Sequence, residues 1–530
     1  MNSRDFRSRG PIRAGCCPCG QAPHAPGEGA TRREFLAAAG GLGLLGTTLT
    51  GLSWATPSSA QAAEPPQRRT LVVKPIFTYP KPQRTPMTSW RNWGGIETER
   101  DVRDEEGRIR GELDQLLAKA DFPLSFLPLA SMRTKDELAA HMDDIRKADA
   151  LLFYSAGDGG DNLMSNVNQI DALGKHVVFF VRHRSGPLYY WYEGAMARFL
   201  HQHTDTLATK SIGYEDVVVD SLDEVLWRLR SLCGLHSTLG NRVVAVGGPS
   251  AWAQPRGVVP DLVRAKWNLD IQTLSYDDLR KLILAAKRDE AAVELARQRA
   301  AAYVKLPGTT VETAQSFIDN AFLLEQVFHR IIAEAGCRAL TINDCMSTIM
   351  PIAETSACLT LSLLNDAGYQ AYCESDFVVV PAGILLANIS GRPVFMNDPT
   401  YPHDQIITLA HCSAPRRMNG RHLEPARIMT HFESDYGAAP KVEMTPGQVI
   451  TNIVPDFKSE RWTGLLAKVD TAPFLPICRS QIDIRYECSD DVLARHMPGF
   501  HWMTGYGDYL REVGYAIGKI GIAWDDISRA

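Results

Sequence analysis

The chain has 530 residues, 45% hydrophobic and 22% charged, a globular composition long enough for roughly three domains and unlike disordered or collagen-like sequences. A formal charge of −5 and a pI near 6.3 leave no basic footprint, which excludes nucleic acid from the expected partners and makes a small-molecule ligand the expectation.

Residues 1–62 read as an export signal. Arg32 and Arg33 precede the weakly apolar run "EFLAAAGGLGLLGTTLTGLSWA", and Ala60, Gln61 and Ala62 offer small side chains for cleavage. This pattern resembles a twin-arginine signal, and it predicts a periplasmic or secreted protein with no stable membrane anchor once the leader is removed. Cys16, Cys17 and Cys19 of "GCCPCG" leave with that leader. The remaining cysteines are scattered without a C-x-x-C pair and read as buried hydrophobes rather than bridges or zinc ligands.

From residue 63 short apolar runs alternate with amphipathic helices: "TLVVKPIF", "RIRGELDQLLAKA", "ADALLFYSAGDGGDN", "GKHVVFFVRHRSG" and "YEGAMARFLHQ". Such alternation predicts a parallel, doubly wound, Rossmann-like sheet over 63–237. A second α/β unit of the same kind, 238–390, opens with "NRVVAVGG". Its longest helix is expected over 311–335, with an apolar stripe that includes Ile318, Ala321, Phe328 and Ile332 and with Gly336 as its stop. Past residue 390 the texture changes to short β-branched runs broken by Pro and Gly, among them "RPVFMND", "QIITLAHC", "ARIMTHFES", "GQVITNIVP" and "QIDIRYEC". They predict a C-terminal β-barrel-like domain over 391–530.

Three of the predicted strands end in a group that is costly to bury alone: Glu374 after "YQAYC", Asp398 after "RPVFMN" and His411 after "QIITLA". Ligands gather where strands of α/β sheets end, so the three are expected to face one crevice. His501, in "MPGFHWMTGYGDY", reads as a further imidazole on a flexible glycine-flanked loop. An Asp before Pro also forms turns, and a lone His also fills cores, so the weight lies on their co-occurrence. Two carboxylates with imidazoles suit a divalent ion such as Mn(II), whereas a thiolate-rich set would favour zinc. The aromatic and polar loops around Trp90 and Trp93 and around Arg182 and Trp191 are candidates for sugar contact. The glycine-rich stretch 155–162 lacks the Lys-Ser/Thr of a nucleotide loop.

These segments, "CESD" with the apolar helix behind it, "GRPVFMNDPT", "LAHCSAP" and the late "FHWMTGYGDY", resemble the L-fucose and L-arabinose isomerase-like family over about residues 339–524. The resemblance implies a metal-dependent aldose–ketose isomerase in which Glu374 and Asp398 are catalytic groups. It implies that Glu374, Asp398, His411 and His501 hold Mn(II), with a monosaccharide as substrate. Arabinose-type members carry Glu-Asp where this chain has Asn397 and Asp398, which makes Asp398 the shorter ligand of a fucose-type site and leaves Asn397 to bind substrate. Family members assemble as trimers or hexamers with shared sites. An exported carbohydrate-binding protein without catalysis, or a sugar lyase or epimerase working through another enolate, remain alternatives on the same scaffold.

Overall fold

A computed structural model describes residues 67–529, apart from positions 81, 92, 158–162, 164–166 and 201–211. The expected export signal and most of the glycine-rich stretch lie outside the described residues. Three structural bodies follow one another along the chain. The first is a six-stranded parallel sheet in the order Leu124–Phe126, Leu71–Thr78, Ala150–Ser155, His176–Val181 and Val217–Val219, with Ala130–Met132 also pairing with Leu71–Thr78. Strands such as "ALLFYS" are buried along their whole length, as expected where helices cover both faces of a parallel sheet.

The second body is a four-stranded parallel sheet in the order Gln370–Tyr372, Ala339–Ile342, Arg242–Val246 and Asp270–Leu274. The first strand of this unit in chain order, Arg242–Val246, lies inside the sheet. Winding therefore reverses between it and Ala339–Ile342, and a crevice opens at the carboxyl ends of those two strands. The long helix begins later than the expected residue 311, at Gln315, and runs to Ala335. The β-branched Thr309–Val311 in front of it pairs instead with Ala426–Ile428.

The third body is a closed six-stranded antiparallel barrel. Its strands run Val449–Pro455, Trp502–Tyr506, Phe395–Pro399, Ile406–His411, Ser480–Arg485 and Arg461–Thr471, and the last pairs with the first. Ala523–Asp526 adds in parallel to Arg461–Thr471. The barrel has no core of its own: Val246, Leu340 and Ile342 of the second sheet share one continuous apolar cluster with Phe395, Ile407, Leu409 and Ile482. Trp267 and Trp462, both fully buried, stack at 5.3 Å and join the helix Val259–Trp267 to the barrel wall. Sheet and barrel therefore hold each other in register, which fixes the position of side chains at their junction.

Candidate metal centre

Barrel register brings three of the four expected residues together. Asp398 pairs with Ala410, the neighbour of His411, on one side; on the other, Asn397 pairs with Trp502, the neighbour of His501. Asp398 thus stands between the two histidines. His501 does not sit on a flexible loop: it is fully buried at the entry of the strand Trp502–Tyr506, fixed by the ladders on both sides. That rigidity suits a positioned ligand better than the predicted loop would.

Glu374 arrives from the second sheet. It follows the strand Gln370–Tyr372, and both Glu374 (φ +62°) and Ser375 (φ +43°) adopt the left-handed backbone region. Two successive non-glycine residues there cost roughly 1–3 kcal/mol each, a strain that the surroundings must hold. They do so through the loop after Arg242–Val246: the Ser250 amide donates to the Ser375 carbonyl at 3.1 Å, and the Phe377 amide donates to the Ser250 carbonyl at 3.1 Å. Asp376 Oδ1 accepts the Trp252 amide at 3.2 Å and the Val378 amide at 3.0 Å.

The resulting cluster is tight. His501 Nε2 lies 3.0 Å from Asp398 Oδ1 and 3.4 Å from Glu374 Oε2, and His411 Nε2 lies 3.8 Å from Glu374 Oε1. Donor atoms of Glu374, His411 and His501 all fall within 4.8 Å of one another. His411 Nε2 is buried without a hydrogen-bond partner, and His501 Nε2, also buried, faces only the carboxylates of the cluster. Two acids and two imidazoles around one point, with buried ring nitrogens aimed at carboxylate oxygens, form a group that could hold a divalent cation.

Electrostatics agree with this. Burial alone lowers the His501 pKa, but Asp398, Asp376 and Glu374 together raise it well above its ordinary value, so the proton of a charged imidazole occupies the place a cation would take. Partial burial, followed by the charges of Glu374 and Asp398, pushes the nearby Glu433 carboxyl up to about 7.

Asp376 is the residue that the strand-end pattern overlooked. Its Oδ2 stands 2.7 Å from His501 Nδ1, and both side chains are buried. A carboxylate accepting Nδ1–H holds the ring with Nε2 aimed at the cluster, so that Nε2 is the nitrogen whose proton a cation would displace, the arrangement that orients metal-binding histidines. The signal was its i+2 spacing from Glu374 in "CESD". A small cavity of about 90 Å³ opens from Glu374 onto the crevice of the second sheet, with Ser250, Trp252, Arg256, Asn343 and Asp344 among its walls. Trp252 and Phe500 meet edge to face at 5.3 Å beside His501 and give that side an apolar wall.

The predicted sugar-contact residues are not brought to this point. Arg182 is buried in the first body, where Nε binds Glu105 at 2.8 Å and the two terminal nitrogens grip Glu112, so its guanidinium is held inside that body and away from the cavity. Asn397 faces the opposite side of its strand from Asp398. Its amide donates to Thr504 Oγ1 at 2.9 Å and to the Phe395 carbonyl at 3.0 Å, within the barrel. Trp90, Trp93 and Trp191 belong to the first body and are absent from the cavity wall; Trp93 stacks on Trp191 at 5.8 Å and is 63% exposed.

No helix among the described residues is long and apolar enough to cross a membrane. No family model and no curated protein matches this chain. One solved structure that does match is a periplasmic solute-binding protein of an ABC transporter from Actinobacillus succinogenes 130z with bound D-allose. The match is 10% identical and covers 61% of this chain and 92% of that one. Its TM-score of 0.14 carries no argument about fold or function.

Proposed function

We propose that this protein is an exported, metal-dependent aldose–ketose isomerase-like enzyme that acts on a monosaccharide through an enediolate, with Mn(II) as its cation. The observation that supports this most is the convergence of Glu374, Asp398, His411 and His501 on one point, with Asp376 behind His501. These are the residues that the resemblance to the L-fucose and L-arabinose isomerase-like family assigns to the cation.

When bound, the cation supplies an electrophile for the negative charge that develops on two adjacent sugar oxygens. Glu374 lies at the cavity mouth with its side chain 18% exposed, and it is the carboxylate placed to take a proton from one carbon and return it to the next. Asp398, 17% exposed, is placed to hold or move the hydroxyl proton. His411 and His501 orient the site, and Asp376 fixes which nitrogen His501 presents. Asn343, Asp344 and Arg256 on the cavity wall supply polar groups for sugar hydroxyls.

The test is a screen of monosaccharides for exchange of the C2 proton in D2O with added Mn(II). Exchange is expected in the native protein and a loss of at least a thousandfold in Glu374→Gln, since the amide keeps the shape and removes both basicity and charge. Full activity in that variant would sink the assignment. Metal-replete protein that binds sugars without ever exchanging the proton would support a carbohydrate-binding protein instead.

A further inference from the structure

The cysteines look scattered in sequence, yet Cys345, Cys358, Cys373 and Cys412 all line the same cavity, and His431 joins them there. Cys358, Cys412 and His431 are buried, and their two sulfurs and one ring nitrogen lie within 4.8 Å of one another. Cys373 lies on the wall of the same cavity, next in the chain to Glu374. We propose that Cys358, Cys373, Cys412 and His431 form a second cation site, specific for a thiophilic ion of the zinc(II) class and distinct from the carboxylate–imidazole cluster. This inference does not rest on the isomerase reading.

Three sulfurs and one imidazole are the donors of a tetrahedral zinc site, in which Zn–S distances of about 2.3 Å place neighbouring sulfurs about 3.8 Å apart. Cys358, Cys412 and His431 already meet within 4.8 Å, and Cys373 on the same cavity wall would supply the fourth donor. His431 Nδ1 meets Ser434 Oγ at 3.1 Å, which fixes the ring and turns Nε2 into the nitrogen available to a cation. Cys358 is the first residue of the helix Cys358–Asp366, where the amide dipoles favour a thiolate. Cation binding displaces the three thiol protons to solvent as three metal–sulfur bonds form.

The four donors come from four separate pieces of chain: a helix start, the ends of Gln370–Tyr372 and Ile406–His411, and the end of Ala426–His431. A cation there would tie the second sheet to the barrel and to the strand Ala426–His431, which pairs with Thr309–Val311. Two of its donors are also direct chain neighbours of the first cluster, Cys373 of Glu374 and Cys412 of His411. His411 stands between the two groups, with Nε2 3.8 Å from Glu374 Oε1 and Nδ1 3.7 Å from Cys412 Sγ. The soft site therefore acts as a clamp behind the hard one. Its donor set excludes the Mn(II) class that the carboxylates prefer.

The test uses the chain from residue 63, stripped of metal under reducing conditions and titrated with Co(II) as an optical probe. Expected is an intense thiolate-to-cobalt charge-transfer band that saturates at one equivalent and is displaced by Zn(II). Zinc should also protect Cys358, Cys373 and Cys412 from alkylation, read by mass spectrometry. Glu374→Gln should keep the band, whereas Cys358→Ser combined with Cys412→Ser should lose it. If that double variant does not fold, Cys358→Ser alone should weaken zinc at least tenfold. Three results would each overturn the proposal: no charge-transfer band with unchanged alkylation in the native protein, a Cys358–Cys412 disulfide in freshly purified protein, or loss of the band in Glu374→Gln, which would mean one mixed site.

Discussion

The buried contact between Asp376 and His501 yields the sharpest quantitative expectation. Asp376 Oδ1 is already committed to two backbone amides, Trp252 at 3.2 Å and Val378 at 3.0 Å. In Asp376→Asn the amide oxygen must keep those two donors, which forces the NH2 group into the place of Oδ2, 2.7 Å from His501 Nδ1. That nitrogen then has to accept, so the ring proton moves to Nε2 and blocks the atom aimed at Asp398 and Glu374. A hydrogen bond to a charged group contributes roughly 1.5–3 kcal/mol. At about 1.4 kcal/mol per factor of ten, its loss corresponds to a 10- to 100-fold weaker cation. The wrong tautomer places the expectation at the upper end. Mn(II) affinity, followed by the electron paramagnetic resonance of free ion, should fall by that factor while far-ultraviolet circular dichroism stays native. Native affinity in a folded Asp376→Asn protein would refute both the orientation of His501 and its place in the cation site.

Other variants probe the surrounding structure. Burial pushes the Asp366 carboxyl up to about 7, against about 3.9 for an unfolded Asp, although its Oδ1 accepts the Arg417 amide at 2.7 Å. A folded value above the unfolded one makes the ionised form destabilising, so this group's contribution falls as pH rises from about 4 to about 7 and stays low above that, a span of roughly 4 kcal/mol. Asp366→Asn should therefore gain stability over the native protein at pH 8 and lose that advantage near pH 4 in urea unfolding; an equal difference at both pH values would refute the linkage. Arg182→Met should destabilise the first body by roughly 3–5 kcal/mol, because Glu112 is left buried without its ion pair while Glu105 keeps only Arg108 and the Tyr189 hydroxyl. Unchanged stability with weakened sugar binding would return Arg182 to the ligand set. We also propose a homotrimer or homohexamer in which the exposed Trp93, Trp191 and Tyr190 cluster closes against a neighbouring chain. Light scattering should give that mass and Trp93→Ala should lower it, whereas a fully active monomer would remove the shared-site arrangement.

The two parallel sheets and most barrel strands were legible because their apolar periodicity is strong and their ends carry turn residues. The misses have local causes. The strand Trp502–Tyr506 reads as a turn because of Gly505, yet a Cβ at that position would stand 2.9 Å from Leu386 Cδ2, so the glycine is there to let a helix approach the barrel. Tyr436–Val442 is built from Gly, Ala and Pro, weak strand formers, and its Gly437 (φ +77°) lies where a Cβ would meet the Ser356 amide at 2.2 Å. In both strands tertiary contact overrides propensity.

The same distinction separates the site residues that sequence exposed from those it concealed. Glu374, Asp398 and His411 announce themselves because a polar group at the end of an apolar run needs a reason to be there. His431 ends "ARIMTH" in the same manner. The cysteines gave no such signal: a thiol in an apolar run is unremarkable, and only the register of four segments shows that Cys358, Cys373 and Cys412 share one cavity. Asp398, His411 and His501 come from the barrel and Glu374 from the second sheet, so the site exists only while those two bodies share their core. A clamp that holds that junction would then govern the geometry of the cation site without touching substrate. It follows that Cys358→Ser should weaken Mn(II) binding, read by electron paramagnetic resonance, through position alone, and that Zn(II) in excess of its weakened affinity should recover it; native Mn(II) affinity in the zinc-free variant would refute the clamp.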